Sequence, residues 1–177
     1  MTPLPAALAS QGKHQPLTVW RLERAAHAAS WAQGIGAERV GGRWSPKGRP
    51  VIYTSLDPAT TILEVAVHAS FEVLDAVPYR MLALAILTPA QVHIVQPEAV
   101  PNPNWLRPGA VSAGMQKFGA DLLDQRPFVL IPSVVSPHSW NLIIDVASAK
   151  AHIECVRDEV FGLDGRLNKA LYAVKPC

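Results

Sequence analysis

GGRWSPKGRPVIYTSLDPATTILEVAVHAS, residues 41–70, is the stretch from which the rest of the chain can be read. A glycine-rich turn around Arg43 leads into a short apolar strand, 51–54, that carries Tyr53. Asp57 followed by Pro58 marks a helix start. An Asp side chain accepts an orphan backbone N–H there, and proline has none to lose. The helix expected over 58–71 wraps Ile62, Leu63, Val65, Ala66, Val67 and Ala69 round most of its circumference, which predicts a mostly buried helix. Glu64 is the one charged side chain in it. Arg43, Tyr53 and Glu64 therefore stand on a turn, a strand and a helix, in surroundings that give none of them a packing reason to be polar.

Working outward, residues 1–15 contain Pro and Gln without periodicity and are expected to form a flexible leader, the domain proper running over 16–177. A first strand is predicted near 17–22, followed by a long connection punctuated by Gly34, Gly36, Gly41, Gly42 and Gly48. Beyond the helix, 79–87 and 91–95 read as strands separated by a Thr88-Pro89 turn. Asn102, Pro103, Asn104, Pro108 and Gly109 make a loop, 111–123 a second helix, 128–131 and 142–144 core strands, and 153–161 a last strand. The expected fold class is α+β: one compact domain with a central, mainly antiparallel β core flanked by helices.

Composition narrows the function classes. With 177 residues and 49% hydrophobic content the chain can bury one proper core, and nothing in it requires a second domain. The net charge of +2 selects no partner. The one dense basic stretch, Arg39, Arg43, Lys47 and Arg49, suits a small phosphorylated ligand better than a nucleic acid, where a longer basic stripe is usual. Cys155 and Cys177 lie in no CxxC pair, so neither a disulfide framework nor a zinc site is expected. The longest wholly apolar run, 81–87, is too short to span a bilayer, and the start of the chain lacks the basic and apolar regions of a signal peptide. A cytoplasmic location with no membrane contact is expected.

Each candidate site residue has a bland reading beside the functional one. Burying the Glu64 carboxylate costs several kcal/mol, on the order of a lost ion-pair partner, unless it is paired, and no basic side chain of its own helix can pair it. Its partners must come from elsewhere in the fold, either as a structural pair or as the walls of a cleft. Arg43 has a planar fork suited to phosphate or carboxylate, flanked by Gly41 and Gly42 that allow close approach; the alternative is a solvated loop. Trp44 beside it is a ligand contact or a core anchor. Tyr53 is a stacking surface for a flat heterocycle or a structural ring with its hydroxyl at the rim. Ser133, after the apolar run FVLI and Pro132, stands where a strand ends, a favoured place for binding groups, or is a simple turn serine; Trp140 and Asn141 carry a similar ambiguity. Glu64 and His68 are four residues apart on one helical face, but no further metal-ligand spacing accompanies them, and no metal is expected. Ser133, His138 and Asp145 have the residue types of a nucleophilic triad without the G-x-S-x-G elbow.

Taken together, WRLERA near Trp20, GGRWSPKG from Gly41, VIYTS from Val51, TILEV around Glu64, LIPSVV around Ser133 and LDGRL from Leu163 resemble the RES domain family, over most of residues 17–167. The Arg, Glu and Ser of the family's name fall on Arg43, Glu64 and Ser133. After Asn141 the chain reads LIIDVASAK, where the family tends to show Asn-Pro and His-Pro pairs. The resemblance implies a fold similar to ADP-ribosyltransferases and a bacterial toxin of a type II toxin–antitoxin pair. NAD+ would be its substrate rather than a bound cofactor, degraded by hydrolysis or phosphorolysis. Some relatives instead transfer ADP-ribose to a protein. It further implies a cognate antitoxin partner of the helix-turn-helix Xre type that closes off the site, a complex in which the toxin itself can oligomerise, and no direct nucleic-acid binding. In that reading Arg43, Tyr53 and Glu64 are catalytic, with Ser133, Trp44 and Asn141 helping to bind substrate: Arg43 on the pyrophosphate, Tyr53 on the nicotinamide, Ser133 on ribose or phosphate oxygen. The competing readings are a non-catalytic ligand-binding or interaction module, and a hydrolase using Ser133.

Overall fold

The computed structural model describes residues 1–9, 15–107, 109 and 111–167. Of the expectations above, those on Pro108, on Cys177 and on part of the leader lie outside the described residues. In chain order the elements are α1 (Ala6–Ala9), β1 (Leu17–Arg24), a 3-10 segment (Ala25–Gln33), α2 (Ile35–Val40), β2 (Val51–Ser55), α3 (Pro58–Ala69), α4 (Phe71–Ala76), β3 (Tyr79–Ile86), β4 (Val92–Ile94), α5 (Ala113–Leu123), β5 (Phe128–Pro132), β6 (Trp140–Asp145), α6 (Val146–Ala149) and β7 (Ile153–Phe161).

The seven strands form one sheet in the order β4-β5-β6-β2-β1-β3-β7. Every pairing is antiparallel except β4 with β5. This is the α+β, mainly antiparallel architecture expected. Side chains alternate across a strand, so each strand serves two faces. On one face Leu17, Val19, Ile52, Leu84, Leu130 and Ile144 belong to a single buried cluster, and Leu4 and Leu8 pack against it. Within the segment expected as a leader, the backbone N–H of Thr2 donates to the His138 carbonyl at 2.5 Å, and the Trp140 indole N–H donates to the Thr2 carbonyl at 3.0 Å.

The other face is divided. Over β5, β6 and β2 the chain buries Val51, Val129, Ile131 and Ile143 with Trp44, Trp105 and Met115. Over β1 and β3 it buries Leu22, Met81 and Tyr79 against α3 and α4, through Ile62, Val65, Ala66 and Phe71. Between these two clusters the same face carries polar groups. Ser55 ends β2 and lies opposite Asn141 of β6, and Asn141 lies opposite Ile131 of β5. Ser133, two residues beyond Ile131, continues the ladder by donating its backbone N–H to Ser139 at 2.9 Å.

Three sequence expectations need correction. Residues 25–40, read as part of a glycine-punctuated connection, are largely helical. The glycines end and separate helices: Gly34 (φ 65°) is the left-handed cap between the 3-10 segment and α2, and Gly41 (φ 74°) ends α2. The helix predicted to Phe71 stops at Ala69, and Ser70 (φ 64°) turns the chain into the separate α4. Last, α3 is not mostly buried. Only Thr60 and Thr61 are buried in it, while Leu63 and Val67 stay 39% and 58% exposed, because one side of the helix meets β1 and β2 and the other faces outward.

Candidate active site

The start of α3 decides where Glu64 points. Asp57 accepts hydrogen bonds from the Thr60 backbone N–H at 2.8 Å and the Thr60 hydroxyl at 2.7 Å, a cap whose loss costs about 1 kcal/mol. The Thr61 hydroxyl donates to the Trp20 carbonyl of β1 at 3.2 Å, pinning the first turn to the sheet. With the helix held in this phase, Glu64 faces the polar gap between the two clusters.

There its carboxylate meets two donors from distant strands. The Ser133 hydroxyl donates to Glu64 Oε1 at 2.7 Å, and the Asn141 side-chain amide donates to the same oxygen at 2.5 Å. Ser133 in turn accepts the Ser136 backbone N–H at 2.9 Å, and Ser55 donates to Asn141 Oδ1 at 2.7 Å. Among the described residues no hydrogen bond to Oε2 is present. One carboxylate oxygen is anchored and the other is available. Ser133 and Asn141 thus lie where the sequence reading placed site residues, but as holders of Glu64: Ser133 is fully buried and Asn141 nearly so. Ser55 was not singled out from the sequence; its small polar side chain at a strand end gave no signal until the strand order set it beside Asn141.

Tyr53, in the middle of β2, buries its hydroxyl rather than holding it at the rim. It makes a hydrogen bond with Ser45 Oγ at 2.9 Å and accepts the Trp44 backbone N–H at 3.3 Å. Burial pushes the phenol above its ordinary value, with the Ser45 and Trp44 hydrogen bonds pulling it down and the Glu64 charge adding to the rise. Gly42 lies against the ring: a Cβ there would stand 2.8 Å from Tyr53 Cζ. The GGRW glycine is therefore required by the tyrosine beneath it.

Arg43 is half-buried beside these groups. Burial pulls its guanidinium down from the usual value, and the charges of Glu64 and Tyr53 act in the opposite direction. It donates to the backbone carbonyls of Trp105 at 3.2 Å and Arg107 at 3.5 Å, so it also ties the loop after β4 to the GGRW turn. Trp44 resolves to a core anchor. Its ring is buried and packs on Trp105 and Phe118, each at a centroid distance of 6.4 Å, and only its backbone N–H reaches the site.

The basic stretch loses one member. Arg49, expected to add positive potential near Arg43, donates to Asp124 at 2.6 Å, to Asp145 at 2.9 Å and to the Ala120 carbonyl at 3.1 Å. Burial works against its charge, but the hydrogen bonds to Asp124 and Asp145 outweigh it and raise its pKa. It is a structural bolt between α5 and β6. Asp145 is further engaged by the Ser148 backbone N–H at 3.0 Å as the cap of α6, and Ser133 is bonded to Glu64, so Ser133, His138 and Asp145 do not form a triad. Among the described residues no group of three His, Cys, Asp or Glu side chains converges as a metal site. Cys155 is free and exposed on β7. No helix among the described residues is long and apolar enough to cross a membrane. Two cavities lie away from Glu64: one of about 260 Å³ beside Arg49 and Asp124, the other of about 450 Å³ on the opposite face of the sheet, lined by Trp31, Ile52 and Ile144.

Fold and site together define a single-domain α+β protein in which one helix carboxylate is anchored at one oxygen by donors from the sheet, with an arginine near enough to feel its charge. A family model described as the RES domain matches residues 18–164, and the chain belongs to that family. A relative called Toxin Res, from Pseudomonas putida, is 31% identical over 153 residues, 85% of this chain and 99% of its own. A Prs ADP-ribosylating toxin from a Sphingobium species is 28% identical over 138 residues, 75% of this chain and 84% of its own. Among solved structures, the crystal structure of the M. tuberculosis MbcT–MbcA toxin–antitoxin complex contains a similar fold, with a TM-score of 0.66 at 20% identity and 91% of each chain covered.

Proposed function

We propose that this chain is the toxin of a toxin–antitoxin pair and that it cleaves the nicotinamide–ribose bond of NAD+. The observation that carries the reading is the Glu64 carboxylate, held through Oε1 by Ser133 and Asn141 while Oε2 is left available, with Arg43 close enough to feel its charge. Cleavage of this bond builds positive charge on the ribose, and nicotinamide departs as a neutral base that needs no general acid. One fixed carboxylate facing the developing cation therefore suffices, unlike ordinary glycoside hydrolysis, where two are usual. In this reading Glu64 Oε2 takes a ribose hydroxyl and stabilises the oxocarbenium, and Arg43 meets the pyrophosphate. The Tyr53 ring, its hydroxyl already engaged, offers an apolar surface to the nicotinamide end. Water gives ADP-ribose, nicotinamide and a proton; inorganic phosphate gives ADP-ribose 1″-phosphate and nicotinamide. The partner is a cognate helix-turn-helix antitoxin that covers the Glu64 site; the toxin–antitoxin complex among similar folds supports an antitoxin partner. The substrate pool would be the cytoplasmic one.

A second reading, transfer of ADP-ribose to a cellular protein, is favoured by the name of the Sphingobium relative. It shares the first half of the chemistry and differs only in the acceptor. Mass spectrometry of NAD+ incubated with the purified protein, with and without phosphate and with and without cell extract, separates the outcomes. ADP-ribose or its 1″-phosphate supports degradation, a modified extract protein supports transfer, and intact NAD+ in every arm overturns both.

A further inference from the structure

We infer that Ser55 is a positioning residue that acts on Glu64 through Asn141. The carboxylate of Glu64 only accepts hydrogen bonds when ionised, so Asn141 must turn its amide NH2 toward it, as the bond from Nδ2 to Oε1 at 2.5 Å records. That choice leaves Asn141 Oδ1 facing inward with lone pairs to satisfy. Asn141 is 9% exposed, so water is not at hand in bulk, and an unpartnered buried carbonyl is costly. Ser55 supplies the donor, its hydroxyl reaching Oδ1 at 2.7 Å from a side chain only 2% exposed.

The backbone makes this meeting obligatory. Ser55 and Asn141 are directly opposed in the antiparallel pairing of β2 and β6, on the same face of the sheet. Ser55 also lies opposite Trp20, at the single point where β1 pairs with β2, so its backbone is held from both sides. The result is a directional chain, Ser55 hydroxyl to Asn141 carbonyl, Asn141 amide to Glu64 Oε1, in which each bond polarises the next. Without Ser55 the Asn141 amide loses one of its two anchors, and Glu64 keeps Ser133 as its one firmly placed donor. The carboxylate would then swing, and Oε2 would no longer be presented at one place.

As far as turnover is concerned the inference rests on the NAD+-cleaving reading, and the experiment has one arm that does not. In the activity arm, Ser55→Ala is expected to lower kcat about tenfold, the worth of roughly one buried hydrogen bond, with KM for NAD+ changed by less than about twofold. Asn141→Ala lowers kcat further, and adding Ser55→Ala to it has no additional effect, because Ser55 acts through Asn141. Independent, multiplying losses in the double variant would overturn the inference. In the second arm, 15N-edited NMR of the full chain follows the two side-chain amide protons of Asn141, assigned by their disappearance in Asn141→Ala. Their separation should collapse in Ser55→Ala while the backbone spectrum stays that of the folded protein. An unchanged amide pair overturns the link between Ser55 and Asn141 even if the protein consumes no NAD+. A collapsed pair with an inactive wild-type protein upholds the link and places the failure in the NAD+ reading.

Discussion

Ser133 and Glu64 are 69 residues apart in the chain and joined by a 2.7 Å hydrogen bond in which the serine hydroxyl donates to the carboxylate. The serine comes from the end of β5 and the glutamate from the middle of α3, so the bond spans the gap between the two clusters on one face of the sheet. It converts a carboxylate that its own helix cannot pair into a fixed group with one oxygen to spare. The arrangement makes Glu64 the residue on which the proposed chemistry turns.

Glu64→Gln keeps the shape and loses the charge. It should fold, since Ser133 can still donate to the amide oxygen, and should consume NAD+ at least about a hundredfold more slowly, as when a transition-state electrostatic contact is removed. Initial rates on the purified variant give the answer, and near-normal turnover would sink the mechanism.

Arg43→Ala removes a partly buried cation beside Glu64 and two donors to the loop carbonyls of Trp105 and Arg107. Affinity for NAD+, measured by calorimetric titration, is expected to fall about tenfold or more, the worth of charge-assisted hydrogen bonds to phosphate. Arg43→Lys should recover little, because a single ammonium cannot hold two carbonyls and a phosphate in the fork geometry. An unchanged Kd in Arg43→Ala would count against the phosphate role.

Tyr53 makes the protein sensitive to alkali. Burial raises its phenol above the ordinary 10.0, so the folded state holds the proton longer than the unfolded chain does. The stability this contributes is fully present below the unfolded value and is lost as the pH rises from there through the folded value. Urea unfolding midpoints should therefore drop as the pH rises above the ordinary phenol value of 10.0, and Tyr53→Phe should shallow that drop. Identical alkaline profiles for the two proteins would refute the buried-phenol assignment.

Gly119 of α5 lies where the helix crosses the Trp44 backbone, and a Cβ there would stand 2.8 Å from both the Trp44 carbonyl carbon and its Cβ. Gly119→Ala should improve the helix locally and still destabilise the protein by about 1–3 kcal/mol, because Trp44 must move against Trp105 and Phe118. Chemical denaturation measures it; a midpoint at or above the parent value would show that the close approach can relax.

Much of the architecture was legible because its signals are local. The Asp57-Pro58 cap, the apolar runs of β3, β5 and β6 and the polar residues of 41–70 each follow from a neighbour or two in sequence. Burial was harder to read. The apolar circumference of α3 points to a buried helix, but only one side of it meets the sheet, and Leu63 and Val67 stay exposed. Gly34 and Gly41 look like loop glycines in the sequence, because a glycine ending a helix and a glycine in a turn are alike until φ is known.

By itself the sequence marked the candidate residues: Arg43 in its glycine turn, Tyr53 on a strand, Glu64 alone on an apolar helix, and Ser133 and Asn141 beside strands. The tertiary structure decided what each of them touches. The order β5-β6-β2 brings Ser133, Asn141 and Ser55 to one face beneath α3, buries the Trp44 ring and the Tyr53 hydroxyl, and neutralises Arg49 with Asp124 and Asp145. Hydrogen bonds and ion pairs extend only about 3–4 Å, so partners tens of residues apart are chosen by strand order and register, which no local pattern contains.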